Sequence, residues 1–369
     1  MDPSQAEEEE EDEEENEAIL ERLMARLDRD LARRELDQGF TVLQELGSGS
    51  YGSVLLTQPH EGGPPVVLKV LRKERTERRA FLREFCIARC VSGHGGCLRA
   101  LPIAFESSTH FIFGQELAPV GDLCELLRPG QGLPEPQIKL CASQLSSALD
   151  FLHSRALVHG DVKADNVLLF EPHCRRVKLA DFGLTRLQGC PMAPLPSPLP
   201  HTPPELCSLR ASQTLALDPS LDVWAFAVLL FCLSTGCFPW AVAMETDAAF
   251  ARFSAWQRGE AVVPEEWGGM GAAALGMLRR LLSLDPDRRS PAVEVHKYLE
   301  MPWGGSPCST SVPALGGSRE RQRSLWPQAP PAVPAMATRW QHRNHPPSPP
   351  APRYKSVPIT HTPMKPGLE

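Results

Sequence analysis

The chain has 369 residues and a formal net charge of −7. That length allows one large domain with flanking segments, and a chain this acidic is not expected to bind nucleic acid. Its eleven cysteines form no CxxC pair and no Cys/His cluster of zinc spacing, which predicts reduced thiols in a cytoplasmic protein, with a nuclear location also open. The start is acidic and the longest apolar run, residues 223–233, is too short to span a membrane. Neither secretion nor membrane insertion is therefore expected.

Residues 1–17 form an acidic segment with eleven Asp and Glu residues and no basic residue. Like charges at this density repel one another, so the segment is predicted to be disordered. Two roles are compatible with the composition: a solubilising segment, or a docking segment for a basic partner. The first is favoured.

Residues 18–39 are predicted to form an amphipathic helix and a linker. Leu20, Leu23, Leu27 and Leu31 recur at helical spacing and form one apolar stripe, while arginines occupy other faces. Packing of this stripe against the main domain is the favoured interpretation. A membrane surface or a partner helix is the alternative, but the acidic neighbour argues against an anionic membrane.

A glycine-rich turn lies between two strand-like runs, residues 40–46 and 54–57. Glycines let the backbone approach phosphate groups, and a hairpin of this kind suits the phosphates of ATP. A dinucleotide-binding glycine motif lies instead between a strand and a helix, and nothing helix-like follows here until about residue 74. The context therefore favours ATP over NAD. The residues of the turn are Gly47, Ser48, Gly49, Ser50, Tyr51, Gly52, Ser53 and Val54.

Lys69 interrupts the apolar strand predicted over residues 66–70. A buried ammonium group needs an anionic partner, and Glu84 is the candidate. It lies in a predicted helix over residues 78–90, beside an apolar face formed at helical spacing. For either residue alone, a surface position is an equally good interpretation. Together with the motifs that follow, an ion pair that holds phosphates is favoured.

Four polar residues downstream have the types and spacing of phosphoryl-transfer machinery. Asp161, Lys163 and Asn166 lie on one short run, and Asp181 follows in an Asp-Phe-Gly triplet after two apolar strand-like runs. A carboxylate can accept a hydroxyl proton, an ammonium group can neutralise a moving phosphoryl group, and amide and carboxylate oxygens suit Mg²⁺. Either group alone could be a solvated turn. Both in this order predict a phosphotransferase site.

These motifs, over about residues 43–303, resemble the eukaryotic protein kinase family. The resemblance implies an α+β, bilobal fold within a domain spanning residues 40–304. A small β-rich lobe would end near residue 118, and a larger α-helical lobe would follow. The Lys that comes two residues after the Asp matches the serine/threonine pattern.

By this resemblance, Asp161 is the catalytic base and Lys163 contacts phosphate, while Lys69 and Glu84 form the ion pair. ATP and Mg²⁺ are the implied cosubstrate and cofactor, and the metal ligands are Asn166 and Asp181. The other implied nucleotide contacts surround the adenine, the hinge and the ribose, with Gln115 as gatekeeper. Besides the glycine turn, they are Leu46, Val67, Gln115, Glu116, Ala118, Asp122 and Leu168.

The resemblance also supplies landmarks in the second lobe. Glu205 would end the activation segment and pair with Arg289. Asp222 would lie near the start of a central buried helix, and Trp303 would close the domain.

Four departures from the wider family pattern bear on regulation and packing. Gly160 replaces the Arg that usually precedes the catalytic base, so a cationic pocket for an activation-segment phosphate is incomplete and control by such a phosphate is not expected. Pro198 stands where a Thr usually hydrogen-bonds the catalytic Asp and Lys, with Ser197 or Thr202 as substitutes. Val67 replaces a more usual Ala over adenine, and Ala88 is small for its position one turn after the ion-pair Glu. None of the four removes a reacting group.

Residues 305–369 are rich in Pro, Ser and Gly and are predicted to be disordered. Arg343, Pro346 and Pro349 fit the RxxPxxP pattern of SH3 ligands, in which prolines preset a polyproline helix. With the acidic start and the Pro-rich activation segment, this composition resembles the SH3-binding-domain kinase family in particular. A chance match in so Pro-rich a segment is the alternative.

The favoured function is transfer of the ATP γ-phosphoryl group to Ser or Thr hydroxyls of proteins by a monomeric enzyme. A pseudokinase-like scaffold that recruits SH3 proteins is the first alternative, although a scaffold has no chemical need for the complete set of reacting residues. Phosphorylation of small molecules is the second. It is disfavoured because the activation segment has the form found in peptide kinases.

Overall fold

The computed structural model describes residues 3–49 and 51–304, which form a β-rich first lobe and a larger, mainly helical second lobe. This is the α+β, two-lobed architecture that the sequence predicts. Within the described residues no helix is long and apolar enough to cross a membrane, and the ten cysteines found there are free thiols.

A six-stranded sheet forms the first lobe, with strand order β1-β5-β6-β4-β3-β2. All neighbours are antiparallel except the edge pair β1 and β5, which is parallel. The predicted glycine hairpin is the β2–β3 connection. The strands are β1 Ala32–Arg33, β2 Phe40–Ser48, β3 Gly52–Pro59, β4 Val66–Arg72, β5 Ala100–Glu106 and β6 His110–Gln115.

One helix, α2 (Arg78–Val91), packs against this sheet. Phe81 and Phe85 bury one face of α2 against β6, where their rings contact Phe111 and Phe113. Aromatic pairs at helical spacing therefore fix α2 on the sheet.

The N-terminal helix differs from the prediction. The sequence predicted disorder over residues 1–17, whereas α1 spans Pro3–Asp30 without interruption. Glu is a good helix former, so an acidic run can extend a helix whose later turns are held by packing. The apolar stripe also differs, because Met24 is buried and Leu23 is exposed. Positions 20, 24, 27 and 31 share one helical face, and position 23 lies beside it.

The second lobe contains five further α-helices, and one of them is central. Residues 223–233 of that central helix are all apolar, and the helix is buried on all sides because other elements surround it. Asp218 caps its start by accepting a hydrogen bond from the Ser220 amide, and Gly236 ends it in a left-handed conformation. The helices are α3 Glu135–His153, α4 Pro204–Cys207, α5 Pro219–Thr235 (the central helix), α6 Ala248–Gln257 and α7 Ala272–Leu281.

Three small sheets complete the second lobe and arrange the loops that face the first lobe. Their strands are β7 Gly121–Asp122, β8 Leu157–Val158, β9 Val167–Glu171, β10 Arg176–Leu179, β11 Arg186–Leu187, β12 Pro191–Met192 and β13 Leu215–Ala216. The pairs are β7–β9–β10, β8–β11 and β12–β13. Short 3₁₀ helices span Leu36–Gln38, Leu123–Leu126, Ala164–Asn166, Pro172–Cys174, Phe182–Leu184, Glu265–Trp267, Pro286–Arg288 and Ala292–Tyr298.

Candidate active site

Lys69 lies between two carboxylates at the junction of the lobes. It points from β4, and its Nζ lies 2.6 Å from Oε1 of Glu84 on α2 and 2.9 Å from Oδ1 of Asp181. The three side chains are largely buried, so the pairing that the sequence predicted is present. One contact joins the sheet to α2, and the other joins the first lobe to the second.

The charges in this triad shift one another's pKa. Burial alone would lower the pKa of Lys69, but the charges of Asp181 and Glu84 outweigh it and raise the pKa. Burial would raise the pKa of Asp181, and the Lys69 ammonium reverses this and lowers it. For Glu84, burial outweighs the Lys69 charge and raises the pKa. Lys69 is therefore firmly cationic and Asp181 firmly anionic, as a phosphate ligand and a metal ligand require.

The catalytic loop brings Asp161, Lys163 and Asn166 together. Lys163 Nζ lies 2.9 Å from Oδ1 and 2.8 Å from Oδ2 of Asp161. Asn166 Nδ2 donates to the backbone oxygen and to Oδ2 of Asp161, both at 2.8 Å. The Asp161 carboxylate is thus fixed by two side chains from its own loop, and the Lys163 ammonium lies beside it.

The hairpin of β9 and β10 places Asn166 next to Asp181. Asn166 immediately precedes β9, and Asp181 lies two residues after the end of β10. Between them, the Ala180 amide donates to the Asn166 carbonyl at 2.8 Å. Antiparallel pairing brings the start of one strand to the end of its partner. The apolar runs between the two motifs therefore unite them in space.

Asp222 of α5 holds the catalytic loop from below. Its carboxylate accepts hydrogen bonds from the amides of His159 (2.7 Å) and Gly160 (2.8 Å) and lies 2.9 Å from His153 Nε2. Burial would raise the pKa of Asp222, but the His153 contact and the other donors outweigh it and lower the pKa. Gly160 has φ +77°, a conformation that residues with a side chain adopt at a cost. The sequence predicted Asp222 only as a helix landmark.

His159 is a further support of the loop, and the sequence analysis assigned it no role. Its ring is fully buried, with Nε2 3.2 Å from the Ala180 carbonyl and Nδ1 accepting from the Asp161 amide at 3.2 Å. The ring edge contacts Phe182. His159 therefore links the Asp161 backbone to the segment that carries Asp181.

The glycine hairpin lies above this site. Residues 46–49 and 51–54 are described, while the predicted Ser50 contact falls outside the described residues. The backbone of Gly49 and Gly52 closes the turn through two hydrogen bonds of 2.8 and 3.3 Å. A Cβ at Gly52 would lie 1.8 Å from the Val70 carbonyl, so only glycine permits this close approach to β4. Contact of the predicted Leu46, Gly47, Ser48, Gly49, Tyr51, Gly52, Ser53 and Val54 with nucleotide stays a prediction.

The predicted adenine and hinge residues border the same cleft. Val67 of β4 pairs with Gln115, the last residue of β6, and Ala118 lies on the segment that follows. Leu168 of β9 pairs with Asp122 of β7 from the opposite lobe. Asp122 is only 2% exposed, so its carboxylate is largely covered and ribose binding there stays a prediction.

The hinge residue Glu116 has a role that the sequence did not predict. Its Oε1 accepts from Lys178 Nζ at 2.5 Å and from the Arg99 amide at 2.7 Å, so the side chain ties the hinge to β10. Contact of Glu116 with adenine stays a prediction.

A small cavity of about 10 Å³ lies behind the gatekeeper position, beside Ala88 and Ala100. It has room for one water molecule at most. Ala88 was predicted to be small for its position, and the structure has unfilled space there. Its lining is completed by Glu84, Leu98, Phe113, Gln115, Asp181 and Phe182.

The activation segment ends in a buried ion pair. Glu205 of α4 accepts from Arg289 at 2.8 and 3.1 Å, as predicted. The Thr202 hydroxyl accepts from the Leu199 amide at 2.9 Å, so this hydrogen bond stays within the activation segment.

His201 is a further residue that the sequence analysis missed. The charges of Asp161 and Lys163 influence its pKa. Burial lowers the pKa of His201 to about 4.

The donor chemistry of the site fits Mg²⁺. The described hydrogen bonds of Asn166 run through Nδ2 and those of Asp181 through Oδ1. The Asn166 amide oxygen and the second Asp181 oxygen are both hard ligands of the kind that Mg²⁺ prefers. One or two protein oxygens suffice for Mg²⁺ when nucleotide phosphates and water supply the rest.

Comparisons with known proteins agree with this geometry. The protein kinase domain family matches residues 40–303. Serine/threonine-protein kinase SBK1 of Mus musculus is 43% identical over 283 residues, 76% of this chain and 68% of that protein. Serine/threonine-protein kinase SBK2 of Homo sapiens is 41% identical over 288 residues, 77% of this chain and 83% of that protein. Serine/threonine-protein kinase meng-po of Drosophila melanogaster is 35% identical over 282 residues, 74% of this chain and 61% of that protein.

Proposed function

The chain belongs to the protein kinase family and, within it, to the SH3-binding-domain kinases, and on this premise we propose how it acts as a serine/threonine protein kinase. The γ-phosphoryl group of ATP is transferred to a Ser or Thr hydroxyl of a protein. The observation that carries this proposal is the assembled site, in which Lys69 contacts Glu84 and Asp181 while Asn166 and Lys163 fix Asp161.

Each of these residues has one task in the proposed reaction. Asp161 orients the substrate hydroxyl and accepts its proton, because Lys163 and Asn166 fix its carboxylate. Lys69 binds the α- and β-phosphates, and Glu84 keeps its ammonium in place. Lys163 neutralises charge on the phosphoryl group as it moves. The glycine hairpin covers the phosphates and excludes water.

Mg²⁺ held by Asn166 and Asp181, when bound with the nucleotide, neutralises phosphate charge. Asp181 stays anionic for this task because Lys69 lowers its pKa. Asn166 remains oriented because its Nδ2 is bound to Asp161.

Phosphorylation of a degenerate peptide array by the purified full chain tests the proposal. Label on Ser and Thr peptides that vanishes in both Asp161→Asn and Lys69→Met proteins supports it. Removing such groups typically costs a factor of about 10² or more in rate. Absence of label, with Mg-ATP binding confirmed by thermal shift, would instead favour the pseudokinase scaffold.

We further propose that activity does not depend on a phosphate in the activation segment. Gly160 offers no cation for such a phosphate, and backbone pairing holds the segment instead. β12 pairs with β13, the Gly189 amide donates to the Leu217 carbonyl at 2.8 Å, and the Leu217 amide donates to the Cys190 carbonyl at 3.0 Å. Phosphatase treatment should leave activity largely unchanged, and a tenfold loss would contradict the proposal.

For the tail we propose SH3 recruitment through Arg343, Pro346 and Pro349, which lie outside the described residues. The supporting observation is the RxxPxxP spacing. Capture of SH3 domains by a peptide of residues 339–353, abolished by Arg343→Ala, would support the proposal. Equal capture by both peptides would count against it.

A further inference from the structure

We propose that helix α1 positions the catalytic ion pair by clamping α2 from outside, with Met24 and Glu21 as the positioning residues. The inference rests on the proposed function, because its effect is on nucleotide binding by Lys69, which Glu84 holds in place. Neither residue touches the reacting atoms. Both act through α2, which carries Glu84 on its inner side.

An apolar contact forms the centre of the clamp. α1 packs on α2, Met24 is 3% exposed and Leu31 is also buried, and both belong to the main apolar core, which also holds the buried residues of α2. Leu20 and Leu27 pack against the same cluster from their positions one turn away. The face formed by these four residues buries enough apolar surface to hold α1 on α2.

Ion pairs flank this contact on both sides of Met24. Arg79 of α2 binds Glu21 in a bidentate pair of 2.5 and 3.1 Å. Arg78 of α2 binds Asp28 at 2.5 Å. Single exposed ion pairs contribute little, but a bidentate pair fixes the relative orientation of its two elements. The pairs therefore set which face of α2 meets α1.

The C-terminal end of α1 is anchored to the sheet. β1 follows α1 directly and pairs with β5, and the Arg34 amide donates to the Glu106 carbonyl at 3.0 Å. The Arg34 guanidinium lies 4.4 Å from the ring centre of Phe105. α1 also contacts β11 in the activation segment. The helix thus bridges the sheet edge, α2 and the activation segment.

The consequence for catalysis follows from the position of Glu84. Glu84 lies on the inner side of α2, 2.6 Å from Lys69, while Arg79 binds Glu21 of α1 and Arg78 bridges Asp28 of α1 and Glu106 of the sheet. If α1 is released, α2 loses its outer support, and the population with Glu84 on Lys69 falls. Apparent affinity for a ligand falls in proportion to the population of the binding-competent state. Release of α1 should therefore raise the KM for ATP.

Two substitutions at neighbouring positions of α1 test this in the full chain. Met24→Asp places a charge in the apolar contact, while Leu23→Asp makes the same change on the exposed face. We expect Met24→Asp to raise the KM for ATP at least about threefold and leave the KM for peptide unchanged. Leu23→Asp should match the wild type. A purely structural defect would lower the active fraction, and hence kcat, without moving the KM for ATP.

A charge-exchange experiment at Glu21 and Arg79 is the second test. Arg79→Glu alone should raise the KM for ATP, and the double variant Glu21→Arg with Arg79→Glu should restore it. Equal KM values for wild type and Met24→Asp, an equal effect of Leu23→Asp, or no rescue by the double variant would overturn the proposal. Mg-ATP titration by thermal shift gives the same ranking without phosphotransfer. It therefore separates failure of the clamp from failure of the proposed function.

Discussion

Gly160 combines a left-handed backbone with a tight contact next to Asp161, the proposed catalytic base. Its φ is +77°, and a Cβ would lie 3.1 Å from the Leu184 carbonyl. Gly160→Ala is expected to cost roughly 1–2 kcal/mol in unfolding free energy, because an L-residue is strained in this region. The Leu184 contact should also displace the loop and lower kcat. Denaturant unfolding and steady-state kinetics measure the two effects.

Gly259 provides the matched control for that variant. It has the same φ of +77°, but nothing lies within 4 Å of the position its Cβ would take. Gly259→Ala should therefore show the backbone cost and leave kcat unaltered. A Gly160→Ala protein with wild-type kcat would show that the Leu184 contact does not constrain the loop.

His201 should make stability sensitive to acid. Burial lowers its pKa to about 4 in the folded chain, against roughly 6.5 for an unperturbed histidine. The unfolded chain therefore binds a proton more readily, so the stability gained by keeping His201 neutral is complete above pH about 6.5 and is lost as pH falls towards 4. Unfolding free energies measured between pH 7 and 4 should fall less steeply for His201→Gln. Equal slopes for both proteins would contradict this.

At the residue scale, the sequence predicted the candidate reacting residues but not the residues that hold them in place. Asp161, Asn166 and Lys69 follow from residue types whose chemistry is recognisable at fixed spacing. The support by Asp222 depends on contacts with His159 and Gly160, 63 and 62 positions away in the chain, and that by His159 on a contact with Ala180, 21 positions away. No local pattern encodes such contacts, because any buried His or Asp looks the same in sequence. Glu116 was predicted at the hinge, but its partner Lys178 emerged only from the fold.

Between elements, the pair of Glu205 and Arg289 joins α4 to the segment before the last 3₁₀ helix. The Arg289 side chain is fully buried, donates also to the Ser220 carbonyl at 2.9 Å, and lies over the Trp224 ring. Glu205→Ala leaves this cation buried without its carboxylate and should cost about 3 kcal/mol or more. Glu205→Gln keeps an acceptor and should cost less. Thermal or denaturant unfolding measures both.

Arg288 is the neighbouring control for that pair. Its side chain is 83% exposed, and its ion pair with Asp285 lies at the surface. Arg288→Ala should change the unfolding free energy by less than about 0.5 kcal/mol. If Glu205→Ala were equally mild, the buried pair would not be a main link between these elements.

Among the elements, the strands and α2 were predicted closely, whereas α1 was not. The range Arg78–Val91 follows from aromatic residues at helical spacing, and the glycine hairpin follows from two flanking strands. Charge density predicted disorder for the acidic segment, but helix propensity and the docked turns of α1 prevail in the structure. β1 has two residues and adds to a sheet edge, so no periodic pattern marks it.

Over the whole molecule, β10 is the strand at which the two lobes meet. The Leu98 amide donates to the Leu179 carbonyl, and the Leu179 amide donates to the Gly96 carbonyl, both at 2.8 Å. One residue earlier, Lys178 binds the hinge residue Glu116. The strand that leads to Asp181 is therefore fixed to the first lobe by backbone and side chain. Such fixation lets Lys69 reach Asp181 across the lobe boundary.

At the scale of the whole molecule, the prediction concerns where the folded domain ends. Trp303 is buried, its indole nitrogen donates to the Tyr298 carbonyl at 2.8 Å, and its carbonyl accepts from the Gly271 amide at 2.7 Å. Because the composition of residues 305–369 predicts disorder, a chain of residues 1–304 should unfold within about 0.5 kcal/mol of the full chain. Trp303→Ala should cost about 3 kcal/mol or more.

Met301 is the control for the Trp303 substitution, because it lies two residues away with 46% of its surface exposed. Met301→Ala should have little effect, since nearly half of its surface is already in water. Denaturant unfolding of the four proteins, compared at one pH, separates the two contributions. A large loss on removing residues 305–369 would place part of the folded domain beyond Gly304. A small loss in Trp303→Ala would instead mean that the domain core ends before this residue.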